Sequence, residues 1–509
     1  MEPLLPAPTR RNFLAGLTAA AAIPAVSAPA AFDPDFGSAV GAADAIRRRK
    51  VSAVELTRRA LDRIEKFNPK LNAMVVVLRE EALERARQAD QALARKQSWG
   101  LLHGVPITIK DSFWIKGTPA TWGSKAAAAF KSDRNAVAID RLLGAGAVIL
   151  GKTNVPVDLM DWQSYNPVYG VTNNPWDLKR TPGGSTGGGA AALAAGFGYL
   201  TLGSDIGGSI RVPAHFCGVY GHKPTLELVS ETGEAPSFPD PLPQPPMDLA
   251  VAGPLARHAE DLMAAISVLG GPNGPDRKAW KWTLPAPRAE RFVGFRVGYV
   301  LDDPFCPVSP DAGAVLQQAL GAIGKAGARL RPGWPQGLDL DKQLEDYLFL
   351  LGALMTAGMP DAVLAMFKST GVPSVFIDSA TAPHKRWLAA TRSRLATRAV
   401  WERYFQDIDV FLAPVALVPA FPHDHTEPQF RRRLQTPAGE RAYFDMIRWA
   451  SLASFAGLPA TIAPVGRTAA GLPVGLQIIG PYLEDATPIQ FAIGLREHIG
   501  GFQPPPGLV

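Results

Sequence analysis

The sequence predicts an α/β protein with a central, mostly parallel mixed β-sheet surrounded by helices. Three observations lead there. Short apolar runs bounded by turn residues, at 105–109, 147–150, 293–300 and 409–414, read as buried strands. Longer stretches of helical periodicity alternate with them, the pattern of a sheet wrapped by helices. The 509 residues are 47% hydrophobic and 19% charged, which supports a large folded core and excludes a disordered chain.

Residues 1–32 read as a leader, and 33–509 as one folded domain. Thr9-Arg10-Arg11-Asn12-Phe13-Leu14 resembles a twin-arginine export motif. An Ala-rich apolar run, 13–26, follows it, and Ala28-Pro29-Ala30 fits a small-x-small cleavage site. That resemblance implies a periplasmic or secreted protein, exported already folded. No later apolar stretch reaches the ~18 residues of a membrane span, so no stable membrane association is expected once the leader is gone.

Along the folded domain, Ser52-Ala53-Val54-Glu55 reads as a capping box opening a helix to about Lys66. The stretch 79–96 is a second helix with a solvated, mixed-charge face. A buried strand, 105–109, ends at Lys110, and a helix over 134–144 leads to a strand over 147–150. The stretch 226–247 is rich in Pro with little periodicity and reads as a surface loop or lid. A helix over 258–269 precedes a proline-bounded segment, 272–287, that reads as a seam. Strand 293–300 and helix 311–326 resume the alternation. Long helical segments, 340–367 and 384–405, are placed to cover a cleft. Strand 409–414, a hairpin over 464–479 around Gly471 and a helix over 489–498 close the chain.

The chain is organised around two glycine-embedded serines, 24 positions apart. The first lies in Gly183-Gly184-Ser185-Thr186-Gly187-Gly188-Gly189 and the second in Gly203-Ser204-Asp205-Ile206-Gly207-Gly208-Ser209-Ile210-Arg211. Between them, 190–202 is small and apolar enough to bury. These stretches resemble the signature of the amidase signature family, serine hydrolases with a Ser–Ser–Lys triad. Gly104-Val105-Pro106-Ile107-Thr108-Ile109-Lys110-Asp111 supplies the lysine. Gly151-Lys152-Thr153-Asn154, Asn174-Pro175-Trp176-Asp177, Gly221-His222-Lys223-Pro224, Gly253-Pro254-Leu255-Ala256-Arg257 and Gly471-Leu472-Pro473-Val474-Gly475-Leu476-Gln477 extend the likeness over most of the chain. One position departs from the pattern: Thr186 stands where the family usually has a second serine.

The residue types suit acyl transfer. Two adjacent glycines before Ser209 leave backbone N–H groups of Ile206, Gly207 and Gly208 to line an oxyanion site. A serine hydroxyl needs a base, and a lysine serves only when neutral. Lowering its pKa from roughly 10.4 to about 7–8 takes about 4 kcal/mol, which burial at the end of an apolar strand supplies. The resemblance implies that Ser209 is the nucleophile, that Ser185 relays its proton to Lys110, that the Gly184–Ser185 peptide is cis, and that Leu159 touches the acyl part of the substrate. Asp205 and Arg211 flank the nucleophile and read as a structural pair.

Other motifs carry less. Gly183 to Gly187 also fits G-x-S-x-G, but the preceding stretch, polar and with two prolines, gives no strand for a nucleophile elbow. The 146–153 stretch fits a P-loop pattern, yet its middle is an apolar strand and Pro156 spoils the helix that should follow. His423-Asp424-His425 lacks further ligands nearby, and no metal or cofactor is implied. Cys217 and Cys306 read as buried free thiols, since two cysteines make no disulfide framework. A net charge of +6 without a dense basic stripe argues against nucleic acid. The expected partner is a small-molecule amide, and oligomeric state is not encoded in any pattern. The resemblance implies hydrolysis of a carboxylic amide through an acyl-enzyme, with esterase side activity. It also admits a glutamine-dependent tRNA amidotransferase A-type subunit, or a non-catalytic binding protein on the same fold.

Overall fold

Eleven strands form one sheet. In chain order they are β1 (Met74–Val77), β2 (Pro106–Lys110), β3 (Val148–Thr153), β4 (Leu200–Asp205), β5 (Tyr220–Lys223), β6 (Val251–Ala256), β7 (Arg296–Tyr299), β8 (Arg329–Pro332), β9 (Val410–Pro414), β10 (Ala460–Arg467) and β11 (Pro473–Ile479). Their order across the sheet is β1-β3-β2-β4-β6-β5-β10-β11-β9-β7-β8. Pairing is parallel on both sides of β2 and on both sides of β7, and antiparallel elsewhere. The protein is thus α/β with a central mixed sheet among helices. This computed structural model describes residues 32–236, 247–357, 359–369 and 372–508; the leader, except Phe32, lies outside them.

Strands β2, β3 and β4 are buried along their whole length. Both faces of the sheet are covered here, so even the polar residues of these strands, among them Thr108, Lys110, Thr201 and Ser204, are buried. Lys110 and Asp205 are the last residues of adjacent parallel strands, β2 and β4, so their side chains leave the sheet at the same edge.

The helix Gly187–Ala194 connects the first serine to β4 and is buried at every position. Its glycines answer to close approach. A Cβ on Gly188 would lie 2.4 Å from the Asn154 nitrogen, and one on Gly189 would lie 2.5 Å from Thr201 Cγ2. The second serine is followed by the helix Arg211–Cys217, closed by Gly218 at φ 69°.

The expected elements are present with shifted ends, except that 340–367 is two helices, Leu340–Met355 and Asp361–Phe367, because Pro360 cannot continue the first. The expected helix start holds as an N-cap, with Ser52 Oγ accepting from the Glu55 N–H at 3.0 Å. Its helix, Ala53–Leu71, runs past Lys66 and through Pro69, because Leu71 still has a buried face to dock. The hairpin turns at Gly471, φ 81°. The apolar core is continuous on both sides of 272–287, so that segment is not a break between cores.

One expectation is corrected. The first half of the supposed surface loop is buried, including Leu226, Leu228, Val229, Glu234 and Ala235. The Trp114 N–H donates to the Gly233 carbonyl at 2.8 Å, and Phe113 pairs with Glu234 as an antiparallel bridge. Residues 237–246 lie outside the described residues.

Candidate active site

Lys110 is carried inward by β2 and is fully buried. Its Nζ lies 2.8 Å from Ser185 Oγ, 2.8 Å from Ser204 Oγ and 3.5 Å from the Ser204 carbonyl oxygen. A neutral amine has two N–H donors and one lone pair. Three neighbours match that inventory when Ser204 receives both donors and the Ser185 hydroxyl donates to the lone pair. Burial drives the Lys110 ammonium down to about 8, against the pull of Glu234 and Asp205.

Ser185 sits on a loop threaded through a tight gap. A Cβ on Gly184 would lie 2.2 Å from the Asp161 carbonyl oxygen. The Gly184–Ser185 peptide is cis, as the family likeness implied. The next N–H, on Thr186, donates to the Ser209 carbonyl at 3.1 Å and ties the two serine loops together. Ser209 is 7% exposed, Ser185 1% and Lys110 0%, so solvent access decreases from Ser209 to Lys110. Thr186 keeps the polar function of a serine: its hydroxyl donates to the Ser204 carbonyl at 3.3 Å.

Asp205 holds the Ser209 loop in shape. Its carboxylate accepts from the N–H groups of Gly208 (3.0 Å), Ile210 (2.9 Å) and Arg211 (3.2 Å). The Arg211 guanidinium binds both of its oxygens, at 3.0 and 2.7 Å. Burial alone would raise this carboxyl; Arg211 and the backbone donors outweigh it and hold it at about 2. The pair is structural, as expected.

The oxyanion assignment needs one correction. The Gly208 N–H, at φ 98°, is committed to Asp205 and is not a free donor. The Ile206 carbonyl accepts from Tyr347 Oη (2.9 Å) and Ser454 Oγ (2.8 Å), and the Gly207 carbonyl accepts from Trp162 Nε1 (3.0 Å). Carbonyl and N–H point opposite ways in a trans peptide. Pinning the Ile206 carbonyl therefore aims the Gly207 N–H the other way. The N–H groups of Ile206, Gly207 and Ser209 have no acceptor among the described residues.

Leu159 is half-buried at φ 60°, just after Asp158 at φ 51°. Later in the same segment, the Asp161 carbonyl lies against Gly184 and Trp162 Nε1 donates to the Gly207 carbonyl. Ser204, Glu234, Trp162 and Tyr347 were not singled out by sequence reasoning. Only Ser204 had a signal, its place inside the quoted glycine-serine stretch.

The distracting motifs find other uses. Lys152 of the P-loop-like stretch is buried in an ion pair with Asp111, 2.9 Å apart. The Cys217 thiol is pushed up by burial. His425 stacks on Tyr165 with ring centres 3.9 Å apart.

The amidase family model matches residues 55–488. The A subunit of glutamyl-tRNA(Gln) amidotransferase from a Cyanothece species is 32% identical over 486 residues, covering 88% of this chain and 94% of its own length. Indoleacetamide hydrolase of Bradyrhizobium diazoefficiens is 33% identical over 463 residues, covering 88% and 84%. The crystal structure of a bacterial aryl acylamidase of the amidase signature family shares the fold, with a TM-score of 0.76 at 23% identity over 92% of this chain and 97% of that one.

Proposed function

The chain belongs to the amidase family, and from that premise we propose that it hydrolyses a carboxylic amide through an acyl-enzyme on Ser209. The observation that carries the reading is the buried Lys110 amine, 2.8 Å from Ser185 Oγ, on a loop bonded directly to the Ser209 backbone. Ser209 Oγ attacks the amide carbon. Its proton passes to Ser185, whose own proton moves to Lys110 Nζ. The oxyanion that forms is met by the free N–H groups of Ile206, Gly207 and Ser209. Collapse breaks the C–N bond, and the proton returns from Lys110 through Ser185 to the leaving nitrogen. Water then cleaves the acyl ester by the same relay, releasing the carboxylic acid.

Because the base acts neutral, turnover should rise as pH climbs through about 8. The test is a panel of amides and esters, followed by Ser209→Ala and Lys110→Ala on whichever substrate responds. Losses of about a thousandfold or more are expected for each. Near wild-type turnover in either variant overturns the reading. Export by the Arg10–Arg11 leader belongs to the same proposal; recovery of a mature N-terminus near residue 33 from the periplasm checks it.

The likeness to the Cyanothece amidotransferase chain favours a second reading, an A-type subunit working in a complex. Stable co-purification with partner subunits from a native cytoplasmic lysate would select it over a free amidase.

A further inference from the structure

A turn expected on the surface instead brings a carboxyl to the base. Glu234 is 4% exposed. Its Oε1 accepts from Ser112 Oγ at 2.9 Å, two residues beyond Lys110 on the same segment. Its Oε2 is buried without a hydrogen-bond partner among the described residues. Lys110 and Ser204, at the ends of β2 and β4, face this carboxyl along with Ser112. Glu231 faces it from its own turn, where the Glu234 N–H donates to the Glu231 carbonyl at 2.8 Å. Asp205 acts on Lys110 from the end of the neighbouring strand β4, and Glu227 acts on Glu231.

The reaction puts a proton on Lys110, which is fully buried. A bare ammonium there is costly, and a nearby carboxylate offsets the cost. We propose that Glu234 is a positioning residue for the base: anchored by Ser112, its carboxylate stabilises the ammonium that forms on Lys110 as Ser209 loses its proton, and so sets how strong the base is and where in pH it becomes free to act. This rests on Lys110 being the base in the reading above. Burial pushes the Glu234 carboxyl up, while Lys110, Ser204 and Ser112 favour its charged form. Glu231 is pushed well up by burial and by Glu234.

The test needs no known substrate. A fluorophosphonate reacts with Ser209 by forming the Oγ–P bond and expelling fluoride, so only the base is read. Rate constants for this labelling are measured against pH for wild type, Glu234→Gln, Ser112→Ala and Lys110→Ala. In wild type the rate rises with pH. In Glu234→Gln the rise moves to lower pH by roughly one unit, about tenfold in rate relative to its own plateau on the acid side, and the plateau falls because the base is weaker. Ser112→Ala keeps the carboxyl but removes a hydroxyl that favours its charged form. It shifts the rise the same way by less, and as a small buried change it carries the test if Glu234→Gln fails to fold. An unmoved rise in the folded variants overturns the proposal. A Lys110→Ala protein that labels like wild type at every pH overturns the reading of the base instead.

Discussion

Thr186 shows how one residue divides its work beside the relay serine. Its hydroxyl bonds the Ser204 carbonyl, while its methyl group fills the space over Gly203 and Gly189. A Cβ on Gly203 would lie 2.6 Å from Thr186 Cγ2. Gly203→Ala should therefore destabilise the fold by overpacking, by about 1–3 kcal/mol. Thr186→Ser, which leaves a small void, should cost about 1 kcal/mol alone but recover part of the loss in the double variant. Chemical denaturation of the four proteins reads the coupling, and strict additivity would contradict this packing. The family resemblance pointed to Lys110, Ser185 and Ser209, and the fold brings Lys110 Nζ to 2.8 Å from Ser185 Oγ. Ser204 lay inside the quoted glycine-serine stretch, but nothing in the residue types marked it as a partner of Lys110. The commitment of the Gly208 N–H to Asp205 depends on which way a peptide plane turns, and residue types do not encode that.

At the scale of elements, the Ser209 loop is a short span held from outside by its carbonyls. Trp162, Tyr347 and Ser454 come from three different parts of the chain and all bond the Ile206–Gly207 carbonyls. Trp162→Phe removes one of these donors and keeps the ring. It should lower kcat about tenfold with little change in KM or melting temperature, a smaller loss than deleting an oxyanion donor itself. Steady-state kinetics with a thermal melt checks this; an unchanged kcat would show that the loop keeps its shape without Trp162. Strands and helices were legible from periodicity and capping residues, as the Ser52 N-cap shows. The buried path of 226–236 was not, because its hydrogen bonds run to Trp114 rather than along a regular element.

At the scale of the molecule, the two ends of the described chain meet. Asp35 pairs with Arg63, 3.3 Å apart, and Arg63 donates to the Leu508 carbonyl at 2.6 Å. The rings of Phe36 and Phe502 lie with centres 6.1 Å apart. Removing residues 1–31, which spares the Phe32 ring stacked on Tyr199, should leave melting temperature and activity unchanged, whereas removing 1–37 should lower the melting temperature by several degrees, since Phe32, Asp35 and Phe36 go with it. Scanning calorimetry of the two truncations decides. The α/β architecture was legible from alternating runs, but the antiparallel pairs in the middle of the sheet were not, since pairing direction between distant strands leaves no local pattern. The central claim, a covalent intermediate on one serine driven by a buried amine, is tested most directly by acid-quenched mass spectrometry during turnover of a slowly deacylating p-nitrophenyl ester. The account predicts the acyl group on the peptide containing Ser209, absent in Ser209→Ala and slow to form in Lys110→Ala. Turnover with the acyl group on Ser185, or with Ser209 unmodified, would contradict it.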